Sequence, residues 1–200
     1  MTRNFTEDAN AIVVRAYQDA IRLGHPRLGG EHFLLALAAA SEPAGAVLRE
    51  HGVSPDRVEA EIVRLSGSGL FGDLDRDALA SVGVDIDAVR ATTEASFGQE
   101  ALSRAARAVH RKPRWFDPRP VAFVGHDGDF LPLGPGAGQA LQHARRSAQA
   151  RRATQPSGVE DLALGIIATT EGLVPPVLAA LGVSGAALSS AVVGRYHAGS

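Results

Sequence analysis

Leu23-Gly24-His25-Pro26-Arg27-Leu28-Gly29-Gly30-Glu31-His32-Phe33-Leu34-Leu35-Ala36-Leu37 decides how this chain reads. It reads as the end of one helix, a tight loop and the start of a second, apolar helix. Gly24 stands where a left-handed residue closes a helix. Pro26 has no N–H and cannot continue the first helix. Gly29 and Gly30 let the chain turn sharply before Glu31. That acid then falls in the first helical turn, where the macrodipole favours negative charge. A weaker copy of the pattern lies downstream as Gly158-Val159-Glu160-Asp161-Leu162-Ala163-Leu164-Gly165-Ile166.

Working outward, Ile12, Val13, Ala16, Ala20 and Leu23 recur at helical spacing and predict a helix over 6–23. Thr6 is its expected cap, with Glu7 and Asp8 in the first turn. The apolar helix is expected over 31–40. Pro43 opens a short helix over 44–50, which Gly52 ends. Ser54-Pro55-Asp56 opens a fourth, with Val58, Ile62 and Leu65 on its buried face. From Leu131 the same order returns. A helix carrying Leu141, Ala144 and Ala148 is expected to end near Arg152. An apolar helix starts at Ser157 or Gly158 and runs to about Thr170. Pro175 and Pro176 start a short helix that Gly182 ends, and Ser184 caps a last one with Leu188, Ala191 and Val192.

The repeat has a measurable offset. Phe5 and Leu133 are 128 positions apart, Glu31 and Glu160 are 129 apart, and Val47-Leu48 precedes Val177-Leu178 by 130. Gly52-Val53-Ser54 returns as Gly182-Val183-Ser184, again at 130. Two single-residue insertions in loops account for the drift. The expected fold is therefore all-α: one compact body of two pseudo-twofold-related repeats, 1–66 and 131–200. The partly helical insert between them spans 67–130. Within it, helices are expected over 76–82, 87–97 and 99–109. Pro113, Pro118 and Pro120 then break a basic and aromatic stretch around Trp115 and Phe116, and 121–124 could be extended.

The composition narrows the function. Apolar residues make up 45% of the 200, so a sizeable core can be buried. The net charge of -2 argues against a dedicated nucleic-acid protein. With no cysteine, disulfides and thiolate metal sites are excluded. No signal-peptide pattern and no apolar run of about 20 residues appear, so a cytoplasmic protein without a membrane span is expected. Lys112 is the one lysine, and it lies in Arg111-Lys112-Pro113 rather than in a phosphate-binding Gly-Lys-Ser/Thr. No nucleophile elbow is present either. Neither an ATPase nor another enzyme is expected, and no cofactor is implied.

The first copy resembles the "LGH..IGTEH.LLGL" signature of the Clp N-terminal repeat, the helical module at the front of ClpA- and ClpC-type unfoldases. The resemblance covers about 5–66 and, less closely, 131–196. It rests on Phe5-Thr6-Glu7, Gly24-His25, Gly29 to His32, and Val47 to Ser54. It is similar to stand-alone actinobacterial members that carry an insert and no ATPase modules. The resemblance implies a non-catalytic recognition module whose partners are a ClpC-type unfoldase, its adaptors or its substrates. The implied role is that of adaptor, decoy or sequestering protein, extending to cyclic-peptide antibiotics. In some relatives the glutamates equivalent to Glu31 and Glu160 bind phosphoarginine. Here the threonines before them are Gly30 and Val159, and the arginine of the "FT.RA" pattern is Asp8 in one copy and Gly136 in the other. A phosphate would lose donors and meet an acid, so docking of peptides or proteins is expected rather than phosphoarginine binding.

The candidate peptide-binding residues are therefore Phe5, Thr6, Glu31, Leu133 and Glu160. Each has a plainer reading. The glutamates can simply serve their helix N-termini, and Phe5 and Leu133 can be packing staples. His25 and His32 lack His-Glu-x-x-His spacing and a third ligand in sequence, so core or surface histidines are expected rather than metal ligands. Asp73, Asp75 and Asp77 open like a calcium loop, but Ala78 and Val84 stand at its required glycine and glutamate. Arg145, Arg146, Arg151 and Arg152 form a possible basic patch. It supports an alternative reading, an interaction protein associated with nucleic acid, against a merely solvated helix face.

Overall fold

The computed structural model describes residues 5–66, 92, 122–124, 130–150 and 156–198. Within these it has eight helices and one short two-stranded ribbon. The first repeat supplies α1 (Glu7–Arg22), α2 (Gly30–Ala38), α3 (Pro43–Glu50) and α4 (Pro55–Ser66). The second supplies α5 (Pro135–Ala150), α6 (Val159–Ile167), α7 (Val174–Ala180) and α8 (Gly185–Ala198). β1 (Ala122–Val124) pairs antiparallel with β2 (Phe130–Pro132), so the extended piece expected over 121–124 is present at 122–124. Apart from the helical Thr92, the expected insert helices lie outside the described residues, as do the Asp73 loop, Trp115, Phe116, Arg151 and Arg152.

The helix ends follow from local chemistry. Thr6 Oγ1 accepts the Ala9 N–H at 3.3 Å, which satisfies one of the donors left open at the start of α1. Gly24, Gly52 and Gly182 have φ of 73°, 81° and 73° and end α1, α3 and α7 in the left-handed region. Helices α2 and α6 start without a side-chain cap at their N-cap glycines, Gly29 and Gly158. Instead the third residue of each helix reaches back. His32 Nδ1 accepts the Gly29 N–H at 2.9 Å, and Asp161 Oδ2 accepts the Gly158 N–H at 3.0 Å. The same job is done by an imidazole in one repeat and a carboxylate in the other.

Every residue of α2 is buried, as are all of α6 except Glu160 and Leu164. Such helices are apolar all round because other helices surround them. Helix α2 packs against α1, α3 and α4 of its own repeat and against α5, α6 and α7 of the other. The outer helices cross over between repeats: α8 lies on α3, and α7 lies on α4. One continuous core results, running from Phe33 and Leu34 through Leu162 and Ile166 to Leu188.

Candidate functional site

The two repeats meet along their entry segments. Phe5 forms a parallel bridge with Ser157, and the Thr6 N–H donates to the Ser157 carbonyl at 3.0 Å. At the pseudo-equivalent place Leu28 bridges Leu133. There the Leu28 N–H donates to Pro132 and the Gly134 N–H donates to Leu28, at 3.0 and 2.9 Å. Each repeat thus pins its partner's loop three residues before the helical glutamate. One junction gathers Phe5, Thr6 and Glu160; the other gathers Leu133 and Glu31. Phe5 is buried in the core, Leu133 half-buried and packed against it.

The two junctions differ. At the Glu31 junction the backbones close in. A Cβ on Gly30 would stand 2.9 Å from Val174 Cγ2, and one on Gly136 would stand 2.7 Å from the Glu171 carbonyl oxygen. Gly172, at φ 77°, completes the lining. The Glu31 carboxyl fills the space a side chain at 29 would need, and it is only 8% exposed. Burial raises its pKa, while its own N–H and the Leu173 N–H pull the other way. The glutamate is held inside, against the backbone that precedes α7.

At the Glu160 junction the corresponding positions carry acids. Asp8 replaces Gly136, and Glu42 replaces Gly172, at the same offsets of 128 and 130. Glu160 stays partly exposed. The half-buried Tyr196 of α8 lies within the field of all three carboxylates. Burial first, then the charges of Glu160, Glu42 and Asp8, raise the pKa of its hydroxyl against an opposing Ala44 N–H. The surroundings are negative and aromatic, which suits a cationic group. Asp8 and Gly136 stand out in the sequence because the repeat pattern aligns them. Glu42 was within reach of the same offset. Tyr196 comes from the last helix and has no counterpart in the other repeat.

Beside the closed junction lie the histidines. His32 is fully buried and His25 nearly so. His25 Nδ1 and His32 Nε2 are 2.8 Å apart. Since His32 Nδ1 already accepts the Gly29 N–H, its proton sits on Nε2 and donates to His25. Burial, reinforced by His25, pushes the His32 pKa down to about 3. Glu31 Oε1 is 3.5 Å from His32 Nδ1, so a carboxylate does join the two histidines in space, contrary to the sequence expectation that a third ligand is lacking. The hydrogen bonds nevertheless occupy both nitrogens of His32, and a cation would have to break two of them. The cluster fits a hydrogen-bonded core better than a metal. On α5, Arg145 and Arg146 are exposed.

Residues 4–70 match the Clp repeat (R) N-terminal domain family. The chain is 36% identical over 70 residues to the Bacillus subtilis negative regulator of genetic competence ClpC/MecB. That match covers 34% of this chain and 9% of the relative. It is 38% identical over 65 residues to the ATP-dependent Clp protease ATP-binding subunit ClpC of Staphylococcus aureus, covering 32% and 8%. In three dimensions the N-terminal domain of the Arabidopsis thaliana chaperone ClpD superposes with a TM-score of 0.60 at 16% identity, over 98% of this chain and 99% of that one. The Candida albicans Hsp104 N-terminal domain gives 0.51 at 14% identity, over 95% and 89%. The fold likeness thus reaches well beyond the matched first third of the chain, at identities that speak for fold alone.

Proposed function

With residues 4–70 matching the Clp repeat N-terminal domain family and the described residues sharing the fold of a Clp N-terminal domain, we propose that this protein is a non-catalytic recognition module of the Clp system that docks a cationic peptide side chain at the Glu160 junction. The observation that carries the reading is the asymmetry of the two junctions. Glu31 is buried against the Leu173 N–H, while Glu160 remains partly exposed among Asp8, Glu42 and Tyr196. A carboxylate accepts a guanidinium through two parallel hydrogen bonds, and a tyrosine ring offers its face to the same cation. A phosphorylated arginine would bring negative charge into three acids, and the hydroxyls of Thr6 and Tyr196 carry no positive charge to offset it. The preferred ligand is accordingly an arginine or lysine in an extended segment of a client, an adaptor or a Clp subunit. The role is that of adaptor or decoy beside a ClpC-type ring, with sequestration of cyclic peptides as one form of it.

A peptide array probed with the wild type and with Glu160→Gln tests this. Spots rich in arginine and lysine should bind the wild type and fade with the variant. Equal staining by both proteins, or a preference for phosphoarginine spots, would remove the Glu160 junction from recognition.

A further inference from the structure

The closed junction holds three buried titratable groups that peptide recognition at Glu160 does not use: His25, His32 and Glu31. Their arrangement is a chain. The Gly29 N–H donates to His32 Nδ1, the opposite nitrogen of that ring faces His25 Nδ1, and the Glu31 carboxyl lies beside the same ring and against the Leu173 N–H. Gly29 follows Leu28, the residue bridged to Leu133. The hydrogen bonds that set the imidazole therefore also set the loop that ties the two repeats together. The second repeat performs the same cap with Asp161. The imidazole is thus not required for capping, which leaves its titration as the feature peculiar to this junction.

We propose that His32, hydrogen-bonded to His25, and the Glu31 carboxyl form a pH-dependent latch on the closed junction, released on the acid side by the His32 imidazole and on the alkaline side by the carboxyl. A proton on His32 Nδ1 must displace the Gly29 N–H, and a charged imidazolium would then sit fully buried. Ionised Glu31 meets the opposite problem, a buried carboxylate charge whose donors are its own N–H and the Leu173 N–H. Opening relieves either charge and exposes Glu31, Leu173 and the Leu28–Leu133 bridge.

Several other charged groups on the helices around α2 have engagements elsewhere. Asp19 and Arg22 of α1 pair with one another, and Arg22 also with Glu59 of α4. Arg49 of α3 bonds the carbonyls of Ala38 and Ala40, and Asp161 of α6 caps Gly158. Glu160 belongs to the other junction. Helix α7 carries no titratable side chain, and α5 brings His143, Arg145 and Arg146 two turns or more from its junction end. Among the charges acting on the His32 ring, His25 is the one that counts.

The two arms have opposite signs. In the closed state His32 binds its proton far below the ordinary value near 6.5, so acid favours the open state. Glu31 holds its proton above the ordinary value, so acid favours the closed state. Substitution separates them. Hydrogen exchange of the full chain, corrected for intrinsic rates, should be followed in 24–33, 131–136 and 171–174 between pH 7 and pH 5. In Glu31→Gln only the imidazole arm remains, and opening should rise about 25-fold on going to pH 5. In His32→Asn the amide can still accept the Gly29 N–H, as Asp161 does at Gly158. Only the carboxyl arm remains there, and opening should fall over the same interval. The wild type should lie between the two. Parallel pH profiles in both variants, or a flat profile in Glu31→Gln, would overturn the latch. Were His32→Asn not to fold, wild type against Glu31→Gln still decides, since the glutamine must steepen the acid-side opening. The latch concerns the second junction and stands whether or not the peptide reading of the Glu160 junction holds.

Discussion

Gly165 and Gly138 offer a matched pair in which one substitution should have opposite effects. Gly165 lies on α6 where it crosses α5. A Cβ built there would press on the Ala140 carbonyl oxygen, with the Ala144 nitrogen at 3.0 Å and the Ala140 carbonyl carbon at 3.3 Å. These are backbone atoms of a neighbouring helix and cannot rotate away. Reaching an ordinary carbon contact of about 3.5 Å requires the two helices to part by about 1 Å. Overpacking of that kind costs about 1–3 kcal/mol, and the rigid neighbour places Gly165→Ala at the upper end. Alanine recovers about 1 kcal/mol of helix propensity, leaving a net loss of about 2 kcal/mol. Gly138 lies on α5, and a Cβ there meets nothing within 4 Å. Gly138→Ala keeps the propensity gain and should stabilise by about 0.5–1 kcal/mol. Urea denaturation should separate the two by about 3 kcal/mol, or about 6–12 °C in Tm for a chain of this size. Equal shifts in the two variants would refute the close crossing of α5 and α6.

Other perturbations have equally definite outcomes. Phe33 is fully buried at the head of α2, so Phe33→Ala should cost about 3–5 kcal/mol by denaturant titration. The exposed Arg195–Glu50 pair joins α8 to α3, but surface ion pairs are weak; Arg195→Gln should cost less than about 1 kcal/mol, an effect that 1 M salt erases. His32 contributes stability that is whole above pH 6.5 and is lost as the pH falls toward 3, because the unfolded chain takes up the proton first. The stability of the wild type relative to His32→Asn should therefore fall by about 1.4 kcal/mol per pH unit between those limits, as read by denaturation at each pH.

The helices were legible because their ends carry local chemistry. Thr6, Gly24, Gly52 and Gly182 act through their own backbone and need no distant partner to do so. The pairing of the repeats was legible in the offset that joins Phe5 to Leu133 and Glu31 to Glu160. What the pattern could not show is which junction is open. That depends on Gly30 and Gly136 meeting Val174 and the Glu171 carbonyl, contacts made only once α7 is in place. Glu31 and Glu160 look alike in sequence, yet one is buried and the other partly exposed. The His25–His32 hydrogen bond was hidden for a related reason. The rings stand seven positions apart in the chain, and the sharp loop between them brings them edge to face, with centroids 4.9 Å apart.

The account rests most directly on a cationic side chain entering the Glu160 junction. Fluorescence anisotropy of a labelled peptide with one central arginine, beside its glutamine and phosphoarginine versions, reads this without a cellular partner. The arginine peptide should bind about tenfold tighter than either, the size of one charge-assisted hydrogen bond, and Glu160→Gln should erase the difference while Glu31→Gln leaves it. Equal or tighter binding of the phosphoarginine peptide, or loss of binding in Glu31→Gln but not in Glu160→Gln, would contradict the account.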